Sequence, residues 1–394
     1  MEVHKPMIDF VFNNPTKVYF GKDQMDHLGE EVAKFGKKVL LTYGGGSIKK
    51  TGVYDLVMAQ LTKVGAEVFE LGGIEPNPRI ASVRKGAQIC KDENIDVILA
   101  VGGGSTIDAS KWMAAGACVD FDTWEFFSTD KKPEKALPLM TVLTMAATGS
   151  EMDAIGVISN PETNEKYGRS APCLFPRVSF LNPELTYTVN KYQTACGCAD
   201  IFSHVQETYF NPGESMFMLD SFMEGLMKTV IKYGPVALED PENYEARANL
   251  MWASSWGING FARTCQVGGW SCHPMEHELS AFYDITHGEG LAILTPSWLR
   301  FCLDEGTVGR YVKYGVNVWG INPDQEPMAI AEQAIAKTEE FLFGTLGLAD
   351  SLTKVGIGEE NIPLMANKAC KGKVINGYKQ FTPEDVEKIY RMSL

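Results

Sequence analysis

The chain has 394 residues, 45% of them apolar and 22% charged, and carries a formal net charge of −14. That length suggests two domains, the composition is that of a globular and not a disordered protein, and the acidic balance disfavours nucleic acid or an anionic membrane surface as partner. Nine cysteines without a Cys-x-x-Cys pair speak against a disulfide framework, no stretch has the length of a membrane span, and the start MEVHKPMIDFVFNNPTK lacks the apolar run of a secretory signal, so a cytoplasmic protein acting on small neutral molecules is expected.

In chain order, apolar runs alternate with helical periodicity through the first half. KKVLLTY precedes a helix through VYDLVMAQLTKVG, and AEVFELG precedes a helix through IASVRKGAQICKDE, after which comes DVILAVGGGS. This alternation signals a parallel sheet flanked by helices, and runs such as VILAV, apolar throughout, suit strands covered on both faces. From about Lys191 onward the pattern changes to long amphipathic stretches, including MFMLDSFMEGLMKTVIKYGPVAL and YEARANLMWASSWGINGFAR, with almost no strand-like alternation. The expected architecture is therefore a Rossmann-like α/β domain over residues 1–188 and an all-helical domain over 189–394, with Pro183 and the polar segment after it marking the boundary.

Two glycine triplets punctuate the first domain. Gly102, Gly103, Gly104 and Ser105 close a strand and open the helix STIDASKWMAAGA, which presents bare amides and a positive helix end to pyrophosphate, with Asp108 in the first turn. Gly44, Gly45, Gly46 and Ser47 end KVLLTY, where an acidic residue would bind the ribose hydroxyls of a dinucleotide. Lys49 and Lys50 follow instead, so NADP(H) is expected, with NAD(H) possible.

Four of the six histidines lie between positions 204 and 287. Asp200 and His204 stand four apart, as do His273 and His277, and four apart on a helix means one face. His287 follows ten residues later. A carboxylate with two or three neutral imidazoles suits one divalent ion, Fe2+ or Zn2+, with a coordination position left open for a substrate oxygen. Cys196 and Cys198, close before Asp200, read as small buried apolar residues. Trp252, Trp256, Phe261 and Trp270 flank the ligand segments and are candidates to wall a dry cleft, although such spacing is also that of plain core.

These segments together resemble a known family. FNNPTKVYFG, YGGGSIKKTGVYD, GGIEPNP, AVGGGSTIDASK, TMAATGSEM, the Asp200–His204 segment, PENYEARANLMWAS and CHPMEHELSAFYDITHGEGLAI are similar to the iron-containing alcohol dehydrogenases over nearly the whole chain, and within them to the butanol dehydrogenase type that reduces aldehydes with NADPH. The resemblance implies a dehydroquinate synthase-like fold. It also implies metal ligands at Asp200, His204, His273 and His287, with His277 near the nicotinamide as the proton-transferring residue. It places cofactor contacts at the Gly103–Ser105 turn and Asp108, at Asn77 and Pro78, at Thr144 and Thr148, and at Lys166. Met145 and Ala146 depart from the leucine and proline of many relatives. The implied activity is interconversion of aldehydes and primary alcohols; a homodimer is expected separately, from strand edges near the start such as VYFG that can pair across a two-fold axis. A polyol dehydrogenase or lyase on the same scaffold, and a non-catalytic metal or nucleotide sensor, are the rival readings.

Overall fold

The computed structural model describes residues 9–213, 216–264 and 266–394. The chain forms two compact units. One comprises Asn13–Asn190 with Pro241–Asn259, and the other comprises Lys191–Asp240 and Gly260–Leu394 with the described part of Met1–Phe12.

The first unit is built on a six-stranded sheet whose paired strands all run parallel. Its strands are β1 (Lys17–Phe20), β2 (Lys38–Tyr43), β3 (Glu67–Leu71), β4 (Val97–Gly102), β5 (Leu139–Leu143) and β8 (Val178–Leu181), in the spatial order β1-β8-β5-β4-β2-β3. Strands β6 (Ile155–Asn160) and β7 (Glu165–Ser170) form a separate antiparallel hairpin.

The continuous apolar runs have the expected cause. In β4, Val97, Leu99 and Val101 enter a core with Leu28 and Val32 of α1 (Leu28–Ala33) and Val57 and Leu61 of α3 (Val53–Lys63), which follows the single turn α2 (Ser47–Lys50). The intervening Ile98 and Ala100 enter a second core with Ile80 and Val83 of α4 (Ile80–Asp92) and Ile107 and Trp112 of α5 (Gly104–Gly116). Alternate residues of a strand face opposite sides, so a strand buried on both must be apolar at every position. Adjacent strands β2 and β4 thus lead to helices on opposite faces, which opens a crevice at their carboxyl ends where open α/β sheets bind ligands. A further single turn, α6 (Glu125–Ser128), buries Phe126 and Phe127 against Trp112.

The second unit is helical: α7 (Lys191–Tyr209), α8 (Phe217–Glu239), α10 (Cys272–Tyr283), α11 (His287–Cys302), α12 (Val308–Trp319), α13 (Pro327–Glu339), α14 (Ile362–Ala369) and α15 (Pro383–Met392). Helix α7 is its axis, buried at every residue from Thr194 to Tyr209.

Two features differ from the sequence expectation. A small hairpin, β9 (Ile375–Asn376) with β10 (Gln380–Phe381), interrupts the helical half, its strands too short to show any alternation. The units are also discontinuous, because α9 (Tyr244–Ile258) clusters with the sheet, where Ser254 donates to the Ala147 carbonyl at 3.0 Å and Ser255 to the Glu151 carboxyl at 2.5 Å. Amphipathic periodicity announces a helix but does not say which core will take its apolar face.

Candidate metal centre and nucleotide turn

Three helices of the helical unit carry the expected metal residues. Asp200 and His204 lie one turn apart on α7, His273 is the second residue of α10, and His287 opens α11. Helix α10 ends at Asp284 in the left-handed conformation, φ 52°, and Thr286 is extended. This tight connection returns His287 to face the residues on α10.

One donor atom from each of Asp200, His204, His273 and His287 lies within 4.8 Å of the others. Asp200 Oδ1 is 3.6 Å from His204 Nδ1 and 3.7 Å from His287 Nε2. Those distances exceed a hydrogen bond but are near the roughly 3.4 Å that separates two donors each about 2.0–2.1 Å from one tetrahedral ion. The rings of His204 and His273 stack at 4.6 Å, and burial, reinforced by the neighbouring imidazoles, holds His204 well below the usual histidine range, in the neutral form that metals require. His273 is buried, and its Nε2 has no hydrogen-bond partner among the described residues. A buried ring nitrogen of this kind needs a ligand. The donor set therefore fits a divalent ion.

Sequence reasoning missed two carboxylates here. Glu207 Oε2 lies 2.6 Å from His273 Nδ1, and Glu276 contacts His287 Nδ1. Burial pulls Glu207 upward, but the adjacent His273 and the amides of Ser271 and Cys272 outweigh it and hold the group below the usual carboxylate range. The signal existed in the spacing: Asp200, His204 and Glu207 follow i, i+4, i+7, and Glu276 stands three residues after His273, each on the face of its helix that bears ligands. Glycines complete the packing. A Cβ on Gly288 would overlap the Cys196 carbonyl of α7, and one on Gly290 would come within 2.9 Å of the Glu276 side chain.

His277 is half-buried, its ring 5.7 Å from that of His287. Of the four aromatic residues expected to wall a cleft, Trp270 alone lies against ligand rings among the described residues, 4.4 Å from His273 and 5.5 Å from His204. Trp252 and Trp256 pack on each other, and Phe261 packs on Phe12 and Phe222, with Trp252 exposed and Trp256 and Phe261 half-buried. Cys196 and Cys198 are buried, and burial pushes the Cys196 thiol up to about 12, which keeps it protonated and unsuited to bind a metal.

In the sheet unit the Gly44–Ser47 and Gly103–Ser105 turns and the loop with Thr144 and Thr148 follow the carboxyl ends of β2, β4 and β5, while Asn77 and Pro78 follow β3 and Lys166 lies on β7. Gly103 is extended, and α5 starts at Gly104 with Ser105 in its first turn. A Cβ on Gly102 would come within 2.5 Å of Thr106 Oγ1, and one on Gly104 would overlap Thr148, so these glycines permit close packing of the turn against the loop after β5. The Thr144 amide donates to the Gly102 carbonyl at 3.0 Å, and the Thr148 hydroxyl accepts from the Ser150 amide at 3.2 Å. Lys166 Nζ donates to Asn77 Oδ1 at 2.9 Å, and Pro78 O accepts from the Ser159 amide at 2.8 Å, which ties the hairpin β6–β7 to the Asn77 turn. Asn77 itself has φ 51°.

Asp108 departs from its expected part. Its carboxyl accepts from Ser150 Oγ at 2.5 Å and from the Val157 amide at 2.8 Å, inside a buried cluster with Lys111 and Asp153, and burial pushes it up to about 6. The side chain braces the turn from within.

Gly44, Gly45, Gly46 and Ser47 form an open turn: Gly46 has φ 91°, and a Cβ on Gly45 or Gly46 would meet nothing within 4 Å. Beside it Glu70, unseen from sequence, accepts from Tyr43 at 2.7 Å, Tyr54 at 2.6 Å and Lys49 at 3.1 Å. Lys49 thus already holds a counter-charge.

Comparison with known proteins bears on the family and the fold. The family model for iron-containing alcohol dehydrogenase matches residues 15–183, and that for the C-terminal part of the same family matches residues 194–394. The chain is 49% identical to NADH-dependent butanol dehydrogenase A of Clostridium acetobutylicum over 98% of its own length and 100% of that protein's. It is 37% identical to the NADPH-dependent aldehyde reductase YqhD of Escherichia coli, covering 92% of this chain and 93% of the other. The crystal structure of NADH-dependent butanol dehydrogenase A from Thermotoga maritima superposes with a TM-score of 0.94 at 38% identity, over 99% of this chain and 100% of that one. A glycine turn at a strand end, three imidazoles with one carboxylate, and two family matches spanning nearly all of the sequence lead to one assignment: the chain belongs to the iron-containing alcohol dehydrogenases, oxidoreductases of alcohols and aldehydes.

Proposed function

We propose that this protein interconverts aldehydes of the butyraldehyde class with their primary alcohols by hydride transfer to and from a nicotinamide dinucleotide, using one divalent ion, Fe2+ or Zn2+. The observation that carries the reading is the convergence of Asp200, His204, His273 and His287 donors within 4.8 Å, three of the four residues buried and His287 half-buried. A bound dication supplies Lewis acidity toward a substrate oxygen, and the nicotinamide supplies or takes up the hydride. The residues do the rest. Asp200 and the three imidazoles hold the ion, with a net donor charge of only −1, so the centre retains positive potential for an oxygen that becomes negative. His277, one turn after His273, exchanges the proton with the substrate oxygen, a task suited to imidazole near neutral pH. Trp270 covers the His204 and His273 rings and excludes water from them. The amides of Gly104 and Ser105 and the start of α5 receive the pyrophosphate, and Lys166, positioned by Asn77, offers a cation to the dinucleotide.

Of the two nicotinamide cofactors, NAD(H) fits the Gly44–Ser47 turn better than the NADP(H) that Lys49 and Lys50 suggest in sequence, because Glu70 neutralises Lys49 and so removes one of the two cations that would attract a 2′-phosphate. The names of the Clostridium and Thermotoga relatives support this choice. A homodimer is supported by β1, an edge strand of the sheet whose Phe20 is 36% exposed. No helix among the described residues is long and apolar enough to cross a membrane.

The test is loss of reduced-nicotinamide absorbance with butyraldehyde, on protein stripped by chelator and refilled with Fe2+ or Zn2+, comparing NADH with NADPH. Turnover restored by metal and faster with NADH is expected. Stoichiometric binding of cofactor without turnover under any metal would replace this reading with that of a sensor.

A further inference from the structure

Glu207 is a buried carboxylate that reaches across from α7 to the start of α10. Its Oε1 accepts from the amides of Ser271 and of Cys272, the latter at 2.8 Å, and its Oε2 accepts from the His273 amide at 3.2 Å and faces His273 Nδ1 at 2.6 Å. Three amide donors converge on the two oxygens, so the group is an acceptor toward the ring as well, and Nδ1 must carry the imidazole proton. Nε2 is then a bare lone pair, and it is the ring atom that finds no partner among the described residues. The same carboxyl therefore does two things at once: it caps the first turn of α10, and it fixes the tautomer and ring orientation of the residue that turn carries.

We propose that Glu207 is the positioning residue of the metal centre, locking His273 into its Nδ1–H, metal-accepting form and setting the register of α10 against α7, which bears Asp200 and His204. The inference rests on the metal reading given above. A merely structural cap would satisfy the amides without caring which ring nitrogen holds the proton. Glutamine bears mainly on the ring, since its carbonyl can still accept from the Ser271 and Cys272 amides while its NH2, in the place of Oε2, gives up the His273 amide, donates to Nδ1 and drives the proton to Nε2, where it blocks a metal.

The experiment uses the full chain, stripped of metal and titrated with Co2+ against a competing chelator, with the Co2+ d–d absorption recorded. Glu207→Gln is expected to bind Co2+ about 10–100-fold more weakly than the wild type, as loss of a carboxylate behind a ligating histidine typically does, and with an altered spectrum. Unchanged affinity and spectrum would overturn the proposal. Should the variant fold poorly, selective 15N-histidine labelling of the metal-free wild type reads the tautomer directly, with His273→Ala assigning the signal. An Nδ1–H form of His273 is expected, and an Nε2–H form would overturn the role of Glu207. Failure of the underlying metal reading looks different: the wild type itself would bind no Co2+, or His273→Ala would bind it as tightly as the wild type.

Discussion

Lys49 finds its anion within the protein. Glu70, on the strand beside β2, takes the lysine together with two tyrosine hydroxyls, and the hydrogen bond from Tyr54, with those from Tyr43 and Lys49, holds its carboxyl below the usual range despite partial burial. The pair of lysines after the glycine triplet is legible in the sequence as positive charge, yet Glu70 lies twenty-one residues from Lys49 and becomes its neighbour only because β2 and β3 pair in register, Leu41 against Glu70. Replacing this carboxylate should change the discrimination between cofactors. A screened contact between two unit charges is worth about 1 kcal/mol, so Glu70→Gln should improve kcat/KM for NADPH relative to NADH by roughly fivefold to tenfold. Initial rates with both cofactors on both proteins measure it. An unchanged ratio would mean that the ribose does not approach this cluster. The candidate pair Asp200 and His204 was readable for the opposite reason: it is a spacing within one helix, and local geometry survives translation from sequence to structure.

At the scale of elements, the metal centre depends on how closely α11 approaches α7. Gly288 follows the ligand His287 immediately, and the space a side chain would need is filled by the Cys196 carbonyl of α7. Gly288→Ala must therefore push the start of α11 away from α7, with a cost of about 1–3 kcal/mol by the usual scale of overpacking and with displacement of His287 as its consequence. Gly225, within α8, meets nothing within 4 Å, and the same substitution there should stabilise by about 0.5–1 kcal/mol through helix propensity alone. Urea unfolding and metal titration of the two variants check the pair, and equal stability in both would show that α11 can shift freely. The sequence of HGEG does not disclose this role, because a glycine required by a neighbour fifty or more positions away looks the same as one required by a bend. Strands β2 and β4 were legible since burial on both faces leaves a nearly continuous apolar run, whereas β5 and β8 were not picked out. The attachment of α9 was not, since its serine contacts to Glu151 and Ala147 lie more than a hundred residues away.

For the whole molecule, the candidate residues divide between the two units: all four candidate metal donors belong to the helical one and both glycine triplets proposed to receive the nucleotide belong to the sheet. A metal that binds only the folded helical unit stabilises it in proportion to RT ln(1 + [M]/Kd), about 2.7 kcal/mol at a free concentration a hundredfold above Kd. For a unit on the order of 200 residues each kcal/mol moves the midpoint by about 2–4 °C, so chelation should lower the Tm of that transition by roughly 5–10 °C. Without a metal, Asp200, His204 and His273 remain buried beside the half-buried His287, and those polar groups bear the cost of burial. Differential scanning calorimetry with and without Zn2+ measures the shift, and His273→Ala provides the control, because a protein lacking that donor should unfold at nearly the same temperature in both conditions. A Tm indifferent to metal in the wild type would mean that the four side chains are held in place by packing alone and that the ion contributes to chemistry without contributing to the fold.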